Sequence, residues 1–299
     1  MSSTRHSIYS ATVNGTSWTQ INSQGIRPNS SKEVIIPGGG LDAGAVVLNS
    51  SDPSVVVSSN DFTTIFGAIS ISAGLNCSSG ATFRFQKRAD GSTFTGGSNN
   101  VTLSSTQGFA KINSISADQD RPASVEVEYK PTYDSSTLPL VVNTSVSFSA
   151  TPAFVSVFYL GPVYVNSSQV EGVTSVRVDP GVMFDVFRGD GDLYAKIGSV
   201  VARRPSISIT FRPMEYVSSG LGNVFLSAPA GAVACYFLKG AHGSSARVAS
   251  GSSVHAKVGI PSGGWNPDDI TVSGEADSQY TVTIHPTATI TLSVTSAVP

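Results

Sequence analysis

The stretch DPSVVVSSNDFTTIFG (residues 52–67) has a counterpart 152 residues further on, RPSISITFRPMEYVSS (204–219). In both, a proline precedes a segment in which apolar and polar residues alternate, Ser54-Val55-Val56-Val57 in the first and Ser206-Ile207-Ser208-Ile209-Thr210 in the second. Alternation with a period of two predicts a β-strand that buries one of its faces. The two stretches therefore predict the same sheet element in two parts of the chain.

Each of these strands is followed by a predicted short helix. In the first stretch Asn60 is a suitable N-cap, because a side-chain oxygen at that position accepts a hydrogen bond from the first helical turn. In the second stretch the helix is predicted after Arg212. Pro213 suits the first helical position, since its missing N–H needs no partner there.

Two further pairs of segments follow in the same order. FRFQKRADG (83–91) aligns with CYFLKGAHG (235–243) at the same offset, and ISADQDRPASVEVEYKPT (115–132) aligns with ITVSGEADSQYTVTIHPT (270–287) at an offset of 155. The offset changes where loops differ in length. We predict an internal duplication with domains at 1–150 and 151–299, whose boundary lies within 133–152.

The predicted fold class is all-β with minor α: two tandem antiparallel β-sandwich or barrel domains, each with one short helix. Charged residues make up only 13% of the chain, and 49 serines and 29 glycines favour turn-rich β structure over helices. Further strands are predicted at Ala68–Ser72, Thr82–Phe85, Ser124–Tyr129 and Tyr280–Ile284, and within the apolar window 153–165.

Two glycine- and asparagine-containing segments, 89–100 and 240–253, connect predicted strands and are interpreted as long hairpin tips. Such tips are candidates for contacts between subunits. The candidate residues are Asp90, Gly91, Gly96, Gly97, Asn99 and Asn100 in the first tip and His242, Gly243, Ser244 and Gly251 in the second.

The stretch VFRGDGDLY (186–194) contains an Arg-Gly-Asp adhesion tripeptide and closely spaced carboxylates. Its counterpart, IIPGGGLDAGAVV (35–47), aligns after a small gap and keeps the glycines without the acids. The alignment places Gly38, Gly39 and Gly40 opposite Gly189, Asp190 and Gly191. A calcium loop would need its oxygen ligands, so we predict a hairpin turn in both places.

No pattern of an enzyme, a metal site or a cofactor site is found in the sequence. The four histidines lack zinc-ligand spacing, and the G-x-S-x-G and phosphate-loop patterns are absent. The acid pairs Asp118/Asp120, Asp190/Asp192 and Asp268/Asp269 are interpreted as turn residues. We therefore expect a protein without catalytic activity, cofactor or bound metal.

Charge and cysteine usage limit the partners further. The net charge is −2, and each half of the chain has nine basic and ten acidic residues, which does not favour nucleic-acid binding. Cys77 and Cys235 occupy non-equivalent places in the alignment and are expected to be unpaired thiols. The N-terminus lacks the apolar run of about 7–15 residues of a secretion signal. The window 153–165 is shorter than the roughly 18 residues of a membrane span, so no membrane insertion is expected.

Two segments resemble the tail tube proteins of long-tailed bacteriophages. VVARRPSISITFRPMEYVSSGLG (200–222) is similar to the strand of that family that leads into its helix. INSISADQDRPASVEVEYKPTYDSSTLPLVV (112–142) resembles its closing segment, in which a strand is followed by an aspartate-containing turn and an apolar edge strand. The similar order of elements covers most of the chain. The second half departs from it by ending at ATITLSVTSAVP without the Asp-Ser turn, so its last strand is expected to be shorter or differently paired.

The resemblance implies a structural virion protein of the phage tail, assembled in the host cytoplasm into stacked rings that form a conduit for DNA. Hairpins of neighbouring subunits would join in a continuous barrel, and three chains of two domains would give a ring with threefold and approximate sixfold symmetry. The implied partners are other copies of the chain, the tape measure, terminator and distal tail proteins, and genome DNA passing through the lumen without sequence-specific binding. Ring closure would also satisfy exposed sheet edges.

A second hypothesis is a two-domain carbohydrate-binding or adhesin module, such as a receptor-binding component of a tail. It predicts a stable monomer with exposed, clustered aromatic side chains. The candidates are Trp18, Trp265, Tyr129, Tyr133, Tyr159 and Tyr164, although aromatic residues of β-proteins more often belong to the core.

Overall fold

A computed structural model describes residues 5–36, 45–88, 97–148, 156–189, 191–212, 232–240, 246–261, 265–267, 271–273 and 279–299. These residues form antiparallel strands in one ten-stranded sheet, two five-stranded sheets and two two-stranded ribbons. A single short helix lies among them. The predicted all-β class with minor α is therefore confirmed.

The described residues of the first half hold twelve strands and the helix. They are β1 (Arg5–Val13), β2 (Thr16–Trp18), β3 (Ile21–Arg27), β4 (Ser30–Ile35), β5 (Ala45–Ser51), β6 (Ser54–Ser59), α1 (Phe62–Ala68), β7 (Leu75–Cys77), β8 (Ala81–Arg88), β9 (Gly97–Ser105), β10 (Gly108–Asp118), β11 (Arg121–Pro131) and β12 (Val141–Phe148).

The described residues of the second half hold twelve more strands. They are β13 (Phe158–Val165), β14 (Ser168–Val170), β15 (Val173–Asp179), β16 (Val182–Phe187), β17 (Ile197–Arg203), β18 (Ser206–Phe211), β19 (Val233–Lys239), β20 (His255–Ile260), β21 (Trp265–Pro267), β22 (Thr271–Ser273), β23 (Gln279–Pro286) and β24 (Thr291–Ser296).

The two halves repeat one strand order. The five-stranded sheets run β12-β9-β8-β1-β2 and β24-β20-β19-β13-β14, so that each strand of one has a counterpart in the other. The ten-stranded sheet runs β3-β6-β11-β10 through the first half and β15-β18-β23-β21 through the second, with β7 beside β10 and β22 beside β23. Each half therefore contributes four strands along this path and one five-stranded sheet.

The pairing of residues repeats as well. β6 and β11 pair Val57 with Val127, and β18 and β23 pair Ile209 with Val282. Adding 152 to the first residue and 155 to the second converts one pair into the other, and these are the two offsets of the sequence alignment. Agreement of strand order and register in both halves is the arrangement that an internal duplication produces.

The change of offset occurs in one hairpin of each half. Phe83 of β8 pairs with Leu103 of β9, whereas Cys235 of β19 pairs with Val258 of β20. The numbers of corresponding residues differ by 152 before the hairpin connection and by 155 after it, so the connection in the second half is three residues longer.

The closing strands are paired alike in the two halves. Val142 of β12 pairs with Leu103, and Leu292 of β24 pairs with Val258. The connection before the last strand is nine residues long in the first half (132–140) and four in the second (287–290). The last strand of the second half has six residues against eight in the first, so it is shorter, as expected, but its pairing is unchanged.

Each half extends a long hairpin from the ten-stranded sheet, bent where prolines interrupt it. In the first half β3 and β4 are separated by Pro28-Asn29, and Pro53 precedes β6. Proline has no N–H for the sheet ladder and therefore interrupts it. Asn29 has a φ of 41° and closes the bend by donating from Nδ2 to the carbonyl oxygen of Asp52 at 3.0 Å.

The bend in the second half is built from Pro180-Gly181 and Pro205. Gly181 has a φ of 61°, and its carbonyl oxygen accepts from the N–H of Arg204 at 2.9 Å. A Cβ at Gly181 would overlap the backbone of Arg204. Glycine is thus required here both by the backbone conformation and by the close approach of the opposite strand.

A sandwich core lies between the ten-stranded sheet and the five-stranded sheets. Along β10 and β11 buried residues alternate with partly exposed ones, because successive side chains of a strand point to opposite faces. Phe83 of the five-stranded sheet contacts Tyr129 of the ten-stranded sheet edge to face, with ring centroids 5.8 Å apart. Trp18 and Ile112 are also buried in this core.

Two local predictions are wrong. The helix begins after Asp61 and not after Asn60, because the Asp61 carboxylate accepts from the N–H of Thr64 at 3.3 Å whereas the Asn60 amide donates to Ala123. The strand predicted at Ala68–Ser72 is absent, since α1 continues to Ala68 and turns follow. Its apolar residue Ile69 is buried at the C-terminus of the helix, so burial alone produced the alternating pattern.

The helix predicted after Arg212 and the boundary predicted near residue 150 lie outside the described residues. Gly161-Pro162 does not end the predicted strand in 153–165, because β13 accommodates the pair in a shift of register between Leu160 and Val163. No helix in the described part of the chain is long and apolar enough to cross a membrane.

Replacing Gly181 with alanine is expected to destabilise the protein by about 1–3 kcal/mol, since alanine is strained at positive φ and its Cβ would displace the Arg204 backbone. Gly25 on β3 is the matched control, because a Cβ there meets no atom within 4 Å. Urea unfolding of Gly181→Ala and Gly25→Ala should separate the two. Equal stability of both variants would contradict the proposed role of Gly181.

Candidate assembly surface

The two halves are joined edge to edge by the antiparallel pairing of β10 with β15. Ile115 pairs with Val178 and Ala117 with Val176, and all four side chains are buried. Burying a side chain of the size of valine or isoleucine contributes about 1.5–3 kcal/mol. This junction joins the four main-path strands of each half, together with β7 and β22, into the single ten-stranded sheet.

The junction joins two different edges of the repeated unit. β15 is the counterpart of β3, which occupies one edge of the first half. The counterparts of β10 in the second half are β21 and β22, which pair with β23. The contact is therefore heterologous, because one edge of the unit is bound to the opposite edge of its repeat.

Among the described residues, the two counterpart edges of the chain have no strand beside them. β3 pairs only with β6, and β21 and β22 pair only with β23. Exposure differs accordingly: Ile26 is 50% exposed, whereas its counterpart Val178 is fully buried. Unpaired N–H and C=O groups on such an edge are a template for another strand.

Side chains across the junction strengthen the contact. The ring of Phe184 on β16 is stacked in parallel on that of Phe109 on β10, with centroids 3.8 Å apart. Lys111 donates from Nζ to the carbonyl oxygen of Val182 at 3.0 Å. The hairpin formed by β16 and β17 thus lies against the first half, and Gly198 on β17 leaves the room that the Phe184 ring occupies.

Helix α1 makes a second contact between the halves. Phe62, in its first turn, is stacked on Phe158 of β13 with ring centroids 5.3 Å apart and contacts Phe237 of β19 at 5.5 Å. All three rings are buried. The helix of the first half therefore covers the five-stranded sheet of the second.

The face of the ten-stranded sheet that points away from the sandwich core is polar. Its two acidic side chains on β11 have close partners: Glu128 lies 3.3 Å from Nζ of Lys111, and Glu126 accepts from Nδ2 of Asn113 at 3.2 Å. Elsewhere hydroxyl groups meet across strands, in the pairs Ser116 and Ser124, Ser208 and Thr283, and Thr210 and Thr281. Lys130 of β11 and Arg177 of β15 alternate with buried residues and therefore lie on this face too. The face thus mixes hydroxyl groups with both acidic and basic side chains.

The first predicted hairpin tip is shorter than expected. Asp90, Gly91 and Gly96 lie outside the described residues, whereas Gly97, Asn99 and Asn100 belong to strand β9. Asn100 is buried, and its Oδ1 accepts from the N–H of Lys87 at 3.0 Å. Its side chain therefore fixes the base of the hairpin and is not available at a tip.

The described part of the second tip, residues 246–253, is held to the sheet. His242, Gly243 and Ser244 lie outside the described residues, and Gly251 is exposed in a turn. Buried His255 accepts from the N–H of Lys239 at 3.1 Å through Nδ1, and its Nε2 donates to the carbonyl oxygen of Ala249 at 2.9 Å. The sequence analysis did not identify this role of His255.

Gly189 and Gly191 lie in a turn that is closed by a hydrogen bond from the N–H of Asp192 to the carbonyl oxygen of Gly189 at 3.1 Å, and Gly191 has a φ of 78°. The Asp192 carboxylate accepts from Nζ of Lys196 at 2.9 Å, which lowers its pKa. Arg188 of the adhesion tripeptide forms an ion pair with Asp52 of the other half. Asp190 lies outside the described residues.

The glycines of the first half, Gly38, Gly39 and Gly40, also lie outside the described residues. Strands β4 and β16 start 152 residues apart, and so do β5 and β17, so the hairpin connections are both nine residues long. The alignment therefore needs no gap in this region. In an alignment without a gap, Gly39 and not Gly40 is the counterpart of Gly191.

Both cysteines are unpaired and buried, on β7 and β19. Burial raises the pKa of the Cys77 and Cys235 thiols to about 12. Burial also raises the pKa of the Tyr129 hydroxyl, which is hydrogen-bonded to Ser105 at 2.5 Å. These groups stay protonated in the folded chain at neutral pH, so the thiols are poor nucleophiles.

No family model matches the chain, and no curated protein is similar to it.

The raised pKa values predict alkaline destabilisation. Below pH 9 a cysteine keeps its proton in the folded and the unfolded chain, whereas between about pH 9 and 12 only the folded chain keeps it. The free energy of unfolding should then fall by about 1.4 kcal/mol per pH unit for each such group. Cys235→Ala should show a shallower decline between pH 9 and 11 than the parent, with parallel curves from pH 6 to 8. Identical slopes above pH 9 would contradict this.

Proposed function

We propose that the chain is a structural protein that polymerises head to tail through its sheet edges into stacked rings, forming the tail tube of a long-tailed bacteriophage. The observation that carries the proposal is the heterologous junction between β10 and β15. At one edge of the ten-stranded sheet lies β3, the counterpart of β15. At the other edge lie β21 and β22, the counterparts of β10. A second copy can therefore add by the contact that already joins the halves.

Repetition of one heterologous contact gives a closed ring if the rotation returns to its start, and otherwise an open helix. Three chains, each with eight strands on the main path of the sheet, would supply 24 strands. With strands about 4.8 Å apart and tilted by about 40°, such a barrel is about 50 Å across between opposite backbones, which leaves space for duplex DNA. Such a ring has threefold symmetry and, because the halves repeat, approximate sixfold symmetry.

The polar face of the ten-stranded sheet is suited to the inner wall of this barrel. Binding to DNA depends on clustered Lys and Arg that displace counterions from phosphates. On this face Lys111 is neutralised by Glu128, and the paired hydroxyl groups carry no charge. The other basic side chains, Lys130 and Arg177, are interspersed with the acidic Glu126 and Asp179 and do not form a cluster. A wall of this kind would let DNA pass without holding it.

The tube proposal includes the partners that the sequence resemblance implies. Rings would stack on further copies of the chain in the virion tail after assembly in the host cytoplasm. Tape measure, terminator and distal tail proteins would contact the lumen and the two ends of the tube.

The adhesin hypothesis has less support from the described residues. Trp18 and Tyr129 are buried, and Tyr133, Tyr159 and Tyr164 are partly buried. In the described part of the chain, Phe187 is the one aromatic residue among the large hydrophobic side chains that are exposed. The arginine of the Arg-Gly-Asp tripeptide is engaged by Asp52. Trp265 lies in β21, and its side chain is outside the described set.

Electron microscopy of the purified chain tests the proposal directly. We expect tubes or stacked rings, and helical reconstruction should find three chains per ring with the two halves alternating around it. Six chains per ring would contradict the equivalence of the halves. A monomer that persists at high concentration would contradict the tube and favour the adhesin hypothesis.

A charge on the β3 edge tests the contact itself. Ile26→Lys should leave the isolated chain folded, because Ile26 is half exposed, but should impair assembly by placing an ammonium group where Val178 is buried at the equivalent junction. Leu138, 53% exposed in the connection between β11 and β12, gives the matched control Leu138→Lys. We expect sedimentation of assembled material to be lost for Ile26→Lys and retained for Leu138→Lys. Equal assembly of both variants would exclude pairing through β3.

A further inference from the structure

The hairpins β4–β5 and β16–β17 have the same register but different surroundings. Both contain a shift of register at the same place, where Asn49 of the first and Val201 of the second are skipped in the pairing. Their connections are of equal length. The difference between them therefore lies in what covers them and not in their backbone pairing.

One face of β16–β17 is packed against the first half of the chain. Val182 and Phe184 on this face are buried, and Val186, Gly198 and Val200 are partly buried. The hairpin connection adds backbone contacts, since the N–H groups of residues 51 and 133 in the first half donate to carbonyl oxygens of residues 193 and 195. This hairpin is held along its length by the neighbouring repeat.

The corresponding face of β4–β5 is uncovered. Subtraction of 152 from Val186, Gly198 and Val200 gives Val34, Val46 and Leu48, which are 56%, 62% and 38% exposed. Val34 pairs directly with Val46, and Leu48 follows on the same face. Three neighbouring aliphatic side chains are thus in water where the second hairpin is covered by protein.

We propose that this face of β4–β5 docks on the second half of another copy of the chain, beside its β21–β22 edge. The inference rests on the proposed head-to-tail polymerisation. It names a second contact of the same interface. The second copy is the occupant because the established contact of β16–β17 with the first half is the same contact made within one chain. Continuity is direct, since β4 follows β3 at the edge that would receive the next chain.

The chemistry of the docking contact differs from that of its intramolecular counterpart. Lys32 stands in place of Phe184, so the parallel ring stack with Phe109 is not repeated. Val46 stands in place of Gly198 and supplies aliphatic surface where the second hairpin needs room for a ring. Three aliphatic side chains cover far less than the about 1,200–2,000 Å² of a stable interface. The hairpin therefore strengthens the edge pairing and does not replace it.

The double variant Val34→Asp/Val46→Asp tests this contact, with Val201→Asp as its matched control. The exposed fraction of Val201 is 54%, similar to the 56% of Val34. Its counterpart in the first hairpin is the polar Asn49, so it does not belong to the uncovered aliphatic face. Circular dichroism and thermal unfolding should find both variants folded. We expect the concentration for half-maximal assembly to rise at least about tenfold for the double variant, because two carboxylates would have to be desolvated in the contact. The control should assemble as the parent does. If the aspartates impair folding, Val34→Ser/Val46→Ser removes the apolar contact without charge and is measured in the same way.

A mixing experiment separates docking on a second half from pairing of two hairpins with each other. The double variant keeps an intact second half, so it should co-sediment with the parent chain and, at equal concentrations, reduce the yield of long assemblies. If two hairpins paired symmetrically, the variant would stay in the supernatant and the parent would assemble undisturbed. That result would overturn the proposal.

The two proposals fail in different ways. If the parent chain assembles and the double variant assembles at the same concentration, the docking inference is wrong and the tube proposal stands. If the parent chain remains monomeric at every concentration, both are wrong. If assembly is lost for Val201→Asp as well, the effect is not specific to the uncovered face, and the docking inference is again wrong.

Discussion

The backbone pairing of β10 with β15 determines how the rest of the molecule is arranged. It joins the strands of the two halves into one ten-stranded sheet, and this brings Phe184 over Phe109 and α1 against the five-stranded sheet of the other half. A sandwich of this repeat that stood alone would leave two different edges with unpaired N–H and C=O groups. Within the chain one such pair of edges, β10 and β15, is hydrogen-bonded. The other pair, β3 at one end of the sheet and β21 with β22 at the other, has no partner strand among the described residues.

Much of this architecture is contained in local sequence patterns. Strands such as β11, β18 and β23 bury one face, so their alternation was sufficient to find them and to align the two halves. In β6 the prediction of one buried face is wrong, because Ser54 to Val57 are all buried. Ile69 shows where the pattern misleads, because a residue buried at a helix C-terminus has the same hydropathy as one in a strand. The N-cap was misplaced by one residue because Asn and Asp both suit that position, and only the tertiary contact of Asn60 with Ala123 separates them.

The candidate assembly surface could be predicted less well. Pairing between β10 and β15 links residues about 60 positions apart, and no local pattern specifies which edge meets which. Glycine and asparagine near residue 97 suggested a loop, yet Asn100 supplies a side-chain acceptor inside the sheet. The exposure of Val34 and Val46 was equally hidden, because an aliphatic residue in a strand is expected to be buried. Such residues are recognised only by comparing the two halves.

Joining two repeats in one chain also has a kinetic consequence. The β10–β15 contact forms between segments tethered to each other, so it is independent of protein concentration, and short tethers correspond to effective concentrations in the millimolar range. In the proposed tube, chain synthesis alone would then produce units in which every second contact is already made. The remaining contact, between chains, would then determine only when the next unit is added. The loops of the two repeats differ in length, by three residues at one hairpin and by five before the last strand. The two repeats therefore have different surfaces, and in the proposed tube one of them could bind a partner while the other served assembly.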